Sequence, residues 1–146
     1  MNVSIPVVTA IIERKHNNET EILTQIRWKP ERDPQYSGTL EFPAGWIERY
    51  ENIFDTIKRE VLEETGLNIN KIQPDIKTPI YSPNNDGSFA FVPFCCHQQI
   101  KGGRPWIGFV FICEVEDKES IPNSEECKDI RWIKRSELKK LGFDGY

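Results

Sequence analysis

Apolar and polar positions form short clustered or alternating runs along most of the chain, and one stretch changes to a helical repeat. Residues 3–12 and 20–28 are rich in Val, Ile and Thr. The polar tetrapeptide His16-Asn17-Asn18-Glu19 separates them, which predicts two strands joined by a hairpin turn. From Lys29 to Gly38 the composition shifts to charged residues with Pro30, Pro34 and Gly38, the mark of a surface loop. A short strand over Thr39–Phe42 then leads into Pro43-Ala44-Gly45. Between Glu51 and Thr65 the apolar residues Ile53, Phe54, Ile57 and Val61 recur at the spacing of one helix face. Gly66 follows where a left-handed cap ends a helix.

Strand-like runs continue at 76–81, 89–100, 106–115 and 129–133, with turn signals at Pro83-Asn84-Asn85-Asp86-Gly87 and Gly102-Gly103. Ser136 is expected to cap a short last helix running to Leu141 before Gly142. Strands on both sides of one strong helix, joined by hairpin-length turns, predict an α/β (α+β) fold. Its central mixed sheet carries packed helices, in a single domain over residues 1–146. Strand order does not follow, because periodicity reports which face is buried and not which strands pair.

Composition narrows the class. With 146 residues and 38% hydrophobic positions, the chain is long enough to bury a core without disulfide or metal staples. The four cysteines include no C-x-x-C pair, and His16 and His97 are not spaced with them as a zinc site requires. Adjacent residues of the Cys95-Cys96-His97 run point to opposite faces of a strand, so the cysteines read as reduced, structural thiols. A formal net charge of -4 disfavours non-specific attraction to nucleic acid or anionic membrane, and no stable nucleic-acid binding is expected. The longest apolar run, Ile5 to Ile12 interrupted by Thr9, falls far short of the roughly 20 residues that span a bilayer. A cytoplasmic monomer or homodimer with no membrane partner is the expectation.

Chemistry concentrates in the helix. Glu60, Glu63 and Glu64 stand at i, i+3 and i+4, on one face within an arc of roughly 100°. Like charges at this spacing cost a few tenths of a kcal/mol per pair, so either Arg59 or a bound divalent cation must offset them. Carboxylates without nearby His or Cys match the hard oxygen ligands of Mg²⁺ or Mn²⁺. A charged stripe alone is usually a solvated face, and here the surroundings decide. Gly45, five residues, Glu51, seven residues and then Arg59-Glu60-Val61-Leu62-Glu63-Glu64-Thr65-Gly66-Leu67 reproduce in full the signature G-x5-E-x7-R-E-U-x-E-E-x-G-U, with U a bulky aliphatic. A chance match over every frame of such a chain is rarer than about one in a million. The chain thus resembles the Nudix hydrolases.

That resemblance implies a Nudix-type α/β/α sandwich and a hydrolase of diphosphate linkages, with Mg²⁺ as cofactor and Mn²⁺ as an alternative. Glu60, Glu63 and Glu64 would bind the cation, with a main-chain carbonyl at Ala44 or Gly45 as a further ligand. Glu51 would support this shell, and Arg59 would hold the carboxylates in orientation. The general base would be Glu64, or Glu125-Glu126 from the loop before the strand at 129–133. The stretch Trp46-Ile47-Glu48-Arg49-Tyr50 lacks the Pro-Gly that often precedes the second glutamate in this family, and the end of the chain leaves room for only a short second helix.

The substrate would be a small nucleotide. Leu40-Glu41-Phe42-Pro43-Ala44-Gly45, and Pro83 sixteen residues beyond the signature, are similar to the ADP-ribose pyrophosphatase group. ADP-ribose or a nucleotide sugar is therefore the lead. The alternatives are a MutT-type nucleoside triphosphate pyrophosphatase that sanitises the nucleotide pool and a non-catalytic nucleotide-binding module. Candidate substrate contacts are Arg27, Glu41, Trp46, Tyr81 and Pro83. Lys29, Arg32 and Arg104 are further phosphate partners, and Trp28, Phe89 and Trp106 further stacking rings. The segment from Glu41 to Gly66 sums to -4 while the rest of the chain is balanced, so the whole net charge lies at the expected cation site and its approach.

Overall fold

A computed structural model describes residues 3–123 and 125–141. In chain order the elements are β1 (Ile5–His16), β2 (Glu19–Arg27), β3 (Leu40–Glu41), β4 (Ala44–Trp46), α1 (Ile53–Thr65) and β5 (Ile69–Gln73). They continue as β6 (Lys77–Pro79), β7 (Phe89–Phe91), β8 (Cys95–Gln98), β9 (Trp106–Val115), β10 (Cys127–Lys134) and α2 (Arg135–Lys140).

Asn17 and Asn18 close the β1–β2 hairpin with φ of 49° and 61°, the paired positive angles that suit a two-residue turn between right-twisted strands. The hairpin stays paired only near its turn, from Glu13↔Ile22 to His16↔Glu19. Further out the strands part. There β1 pairs with β4 from Val7↔Trp46 to Thr9↔Ala44, and β2 pairs with β3 through Gln25↔Glu41 and Ile26↔Leu40. Residues 40–46 thus form a wedge in the split hairpin, pinned by a hydrogen bond from Ala10 N to Pro43 O at 2.9 Å. The main sheet runs β10-β2-β1-β9-β5, with β8 also on β9. The β1–β9 pair is parallel and the other pairs are antiparallel, which makes the sheet mixed; β6 and β7 form a separate hairpin.

Alternation along the strands divides the core between two faces. Val8, Ala10 and Ile12 of β1, Leu23 of β2, and Phe111 and Cys113 of β9 pack with Ile53, Phe54, Ile57 and Val61 of α1 and with Leu67. On the other face Ile11, Ile22 and Val110 pack with Phe42 and with Leu138 of α2. The result is a helix–sheet–helix arrangement. Helix α1 begins at Asn52, whose side chain accepts from Phe54 N at 2.9 Å. It ends at Gly66, where φ is 71° and the N–H donates to Leu62 O at 2.9 Å. Both ends are therefore satisfied locally, and α1 sits firmly across β1, β4 and β5.

Several elements differ from expectation. The expected strand at 39–42 is only Leu40–Glu41, and a further strand, β4, follows it across Pro43. Residues 69–73 form β5, which the apolar pattern of Ile-Asn-Lys-Ile-Gln shows too weakly because it is an edge strand with three exposed residues. The expected run 89–100 is two strands, β7 and β8, divided around Pro93, and the run 76–81 shortens to Lys77–Pro79. Ser136 is not the cap of α2: the helix starts at Arg135, and the cap position, Lys134, makes no side-chain bond. Gly142, expected after this helix, lies outside the described residues. No described helix is long and apolar enough to cross a membrane. Ile57, 1% exposed at the centre of the α1 interface, gives a direct test of this packing. Ile57→Ala should lower unfolding free energy by about 2–5 kcal/mol in a urea titration.

Candidate active site

Helix α1 carries the charged residues of the site on the side that meets the wedge. Arg59 makes a two-pronged contact with Glu51, Nε to Oε1 at 2.8 Å and Nη2 to Oε2 at 2.9 Å. Its Nη1 donates to Glu60 at 2.6 Å and to Glu63 at 3.4 Å, and its Nη2 donates to Trp46 O at 3.2 Å. A planar guanidinium has enough fixed donors to serve all these acceptors at once. The hydrogen bonds from Arg59 hold the Glu51 carboxyl down at about 2, and those carboxylates hold the Arg59 proton more tightly than usual. Glu51 also accepts from Glu48 N at 3.1 Å and donates its own N–H to Glu48 O at 3.0 Å, so the loop between β4 and α1 closes on itself. Tyr50, just before Glu51, is 93% exposed at φ 62°, a left-handed position that favours glycine.

Glu64 faces the opposite environment. It is 4% exposed, and its Oε2 accepts from Gln25 Nε2 at 3.0 Å and from Ala44 N at 3.2 Å. The same Gln25 nitrogen donates to Glu41 Oε1 at 3.3 Å, and Glu41 Oε2 meets Arg27 Nη1 at 3.5 Å. Burial pushes the Glu64 carboxyl up to about 8, against the two hydrogen bonds and with the charges of Glu41 and Glu60 adding to the rise. Burial likewise raises Glu41 against Arg27, and Glu60 against Arg59. Gly45 explains how Glu60 reaches this place, since a Cβ there would overlap the Glu60 carboxyl group.

The loop before β10 is tied to the end of α1. Asn123 N and Cys127 Sγ donate to Glu64 O at 3.1 and 3.3 Å, and Ile121 N donates to Thr65 O at 2.7 Å. Glu126 on this loop pairs with Lys29 at 3.3 Å and lies 4.0 Å from Arg32, and its charge contributes to the rise at Glu60. Glu125 N donates to Asn123 Oδ1 at 3.1 Å, and the Glu125 carbonyl accepts from Arg32 at 3.4 Å.

Their spacing puts Glu60, Glu63 and Glu64 on one helix face, and the structure divides them. Glu60 and Glu63 turn to Arg59 while Glu64 turns into the wedge, because the edges of a wide arc meet different neighbours. Among the described residues no three His, Cys, Asp or Glu side chains stand as a ready cation cage. The donor set is all oxygen and lies along the Ala44–Gly45 backbone, and the buried Oε1 of Gln25 has no hydrogen-bond partner among the described residues. Both features suit a hard divalent cation.

Of the candidate substrate contacts, Arg27 is engaged with Asp33 at 2.7 Å as well as with Glu41. Trp46 is 53% exposed with Arg104 5.2 Å over its ring. Tyr81, 92% exposed, and Pro83, which opens a 3-10 turn, lie on the β6–β7 connection. Phe89 packs on Phe54 at 6.3 Å, Trp106 stands edge-on to His97 at 4.6 Å, and Lys128 Nζ lies 3.1 Å over Trp28. Gln25 was not foreseen. Its signal was a long polar side chain inside the buried run Ile22-Leu23-Thr24-Gln25.

A model of the NUDIX domain matches residues 4–145, and the chain belongs to the Nudix family. It is a pyrophosphohydrolase of that family, with the full signature in place. The fold is similar to the NUDIX domain of Shewanella oneidensis NrtR complexed with ADP ribose, at 13% identity and TM-score 0.64 over 96% of this chain and 79% of that one. It is also similar to a C. elegans Ap4A hydrolase binary complex, at 14% identity and TM-score 0.67 over 97% and 88%. A third likeness is to a MutT NUDIX hydrolase from Burkholderia pseudomallei, at 19% identity and TM-score 0.63 over 90% and 83%. A search of curated proteins finds no match.

Because the folded Glu64 carboxyl sits near 8 against an ordinary 4.5, its contribution to stability is complete below about pH 4.5 and is lost as pH rises through about 8. Metal-free protein should therefore melt at a lower temperature at pH 8 than at pH 6, with Glu64→Gln flattening the difference in a calorimetric pH series. Glu41 and Glu60 add to the slope with the same sign. At the loop, Tyr50→Gly should raise stability by about 1 kcal/mol in denaturant unfolding, since the substitution removes the left-handed penalty.

Proposed function

We propose that this chain hydrolyses the diphosphate linkage of a nucleoside diphosphate derivative, with ADP-ribose or a nucleotide sugar as substrate and Mg²⁺, replaceable by Mn²⁺, as cofactor. The observation that carries this reading is the Arg59 clamp beside the buried Glu64, with every acidic position of the signature present. Glu60, Glu63 and Glu64, with a main-chain carbonyl at Ala44 or Gly45, would hold the cation. When bound, it supplies charge neutralisation at the phosphate oxygens and a more acidic water. Arg59 and Glu51 are positioning residues, since each acts by fixing the carboxylates.

Water attacks one phosphorus, the P–O bond to the bridging oxygen breaks, and the proton of the water passes to a carboxylate. Glu64 is the first candidate for this role, and the hydrogen bonds it accepts from Gln25 and Ala44 support that reading. Glu126 is the second candidate, on a loop bonded to α1, with Glu125 beside it. Substrate preference rests on the Leu40–Gly45 run and on Pro83, and the likeness to a structure holding ADP ribose accords with it. A MutT-type triphosphate pyrophosphatase is the second reading, favoured by the likeness to the Burkholderia pseudomallei hydrolase. Activity is proposed to reside in one domain, in the cytoplasm.

Purified protein assayed with Mg²⁺ and with Mn²⁺ should release AMP from ADP-ribose and not act on triphosphates. Robust activity on triphosphates alone would replace the lead by the MutT-type reading, and inactivity on every compound would favour a binding module. Glu64→Gln should lower turnover by about a hundredfold or more, measured as phosphomonoester release.

A further inference from the structure

Among the described residues, Gln25 is the one that carries a buried side-chain polar atom without a hydrogen-bond partner. It is fully buried on β2, in register with Glu41 on β3, and its Nε2 donates to Glu41 at 3.3 Å and to Glu64 at 3.0 Å. Its Oε1, equally buried, has no partner among the described residues. Buried amide oxygens are rarely left in this state. The arrangement places one neutral NH₂ between two carboxylates, where it is the group that keeps them together. A cation joining Glu41 and Glu64 reverses that logic, because it repels the NH₂ and attracts the amide oxygen. The two orientations differ by a half-turn of χ3, a broad two-fold torsion.

We propose that Gln25 is a cation-responsive positioning residue: its NH₂ bridges Glu41 and Glu64 in the metal-free protein, and its amide turns over to present Oε1 when a divalent cation joins them. This rests on the reading above that the site takes a divalent cation. It assigns Glu41, on the wedge, to the same cation as Glu64, on the helix. Gln25 thereby links occupancy of the site to the β2–β3 contact and, through Glu41, to Arg27 and the loop holding Asp33.

The test uses the intact protein without substrate. In ¹⁵N spectra the Gln25 side-chain NH₂ signals should move on Mg²⁺ titration and saturate with it. By Mn²⁺ binding measured through electron paramagnetic resonance, Gln25→Met should bind about ten- to a hundredfold more weakly than wild type. Gln25→Glu keeps an oxygen and loses the donor, so it should bind close to wild type while melting at a lower temperature when metal-free. Stationary Gln25 signals with unaltered Mn²⁺ binding in Gln25→Met would overturn the proposal and leave the hydrolase reading intact. Failure of wild type itself to bind Mn²⁺ would overturn both.

Discussion

A single buried carboxylate shapes this molecule. Glu64, 4% exposed on α1, must find donors inside the protein, and it finds them on two different strands. Gln25 belongs to β2 and Ala44 to β4, so the helix, the hairpin and the wedge have to meet at one point. The hairpin achieves this by staying paired near its turn and parting beyond it. Residues 40–46 occupy the split and pair with both sides, which leaves few backbone groups to be satisfied elsewhere. The apolar face of α1 then locks the meeting point, since Ile53, Phe54, Ile57 and Val61 seat the helix on β1 and β9.

The other half of the site is a partly buried electrostatic cluster built from α1 and the loop before it. Arg59 draws Glu51, Glu60 and Glu63 around one guanidinium and ties the β4–α1 loop to the helix through Trp46 O. Within this cluster Glu51 differs sharply from Glu64. Glu51 is held strongly acidic by direct bonds to a permanent cation, whereas Glu64 is weakly acidic because it is buried. Glu51 is thus a fixed anion held by Arg59, while burial raises Glu64 and, against Arg59, Glu60 as well.

Much of this was legible beforehand. The helix over 51–65, its glycine cap, the β1–β2 turn and the spacing of Gly45, Glu51, Arg59, Glu60, Glu63 and Glu64 all follow from local rules, because each depends on neighbours within a turn or two of chain. Less legible were β5 and the division of 89–100, where short exposed edge strands carry no strong alternation. Ser136 misled as a cap because α2 follows β10 without a break, so Lys134 serves as the last strand residue and as the helix cap position. Phe89 read as a stacking ring is an aromatic core contact of Phe54. Nothing in local pattern separates an exposed ring from one packed against a distant helix.

What the amino-acid sequence determined by itself was the fold class, the family and the oxygen-rich chemistry of one helix, since these reside in composition, period and fixed spacing. What only tertiary structure decided was which glutamate is buried, which is clamped, and that Gln25 and Glu41 join Glu64. Those outcomes depend on how β2, β3, β4 and α1 converge to join Gln25 and Glu64, which are 39 positions apart in sequence. Desolvation and hydrogen bonding at that convergence set the character of each carboxylate, and both are properties of three-dimensional neighbours, not of neighbours in sequence.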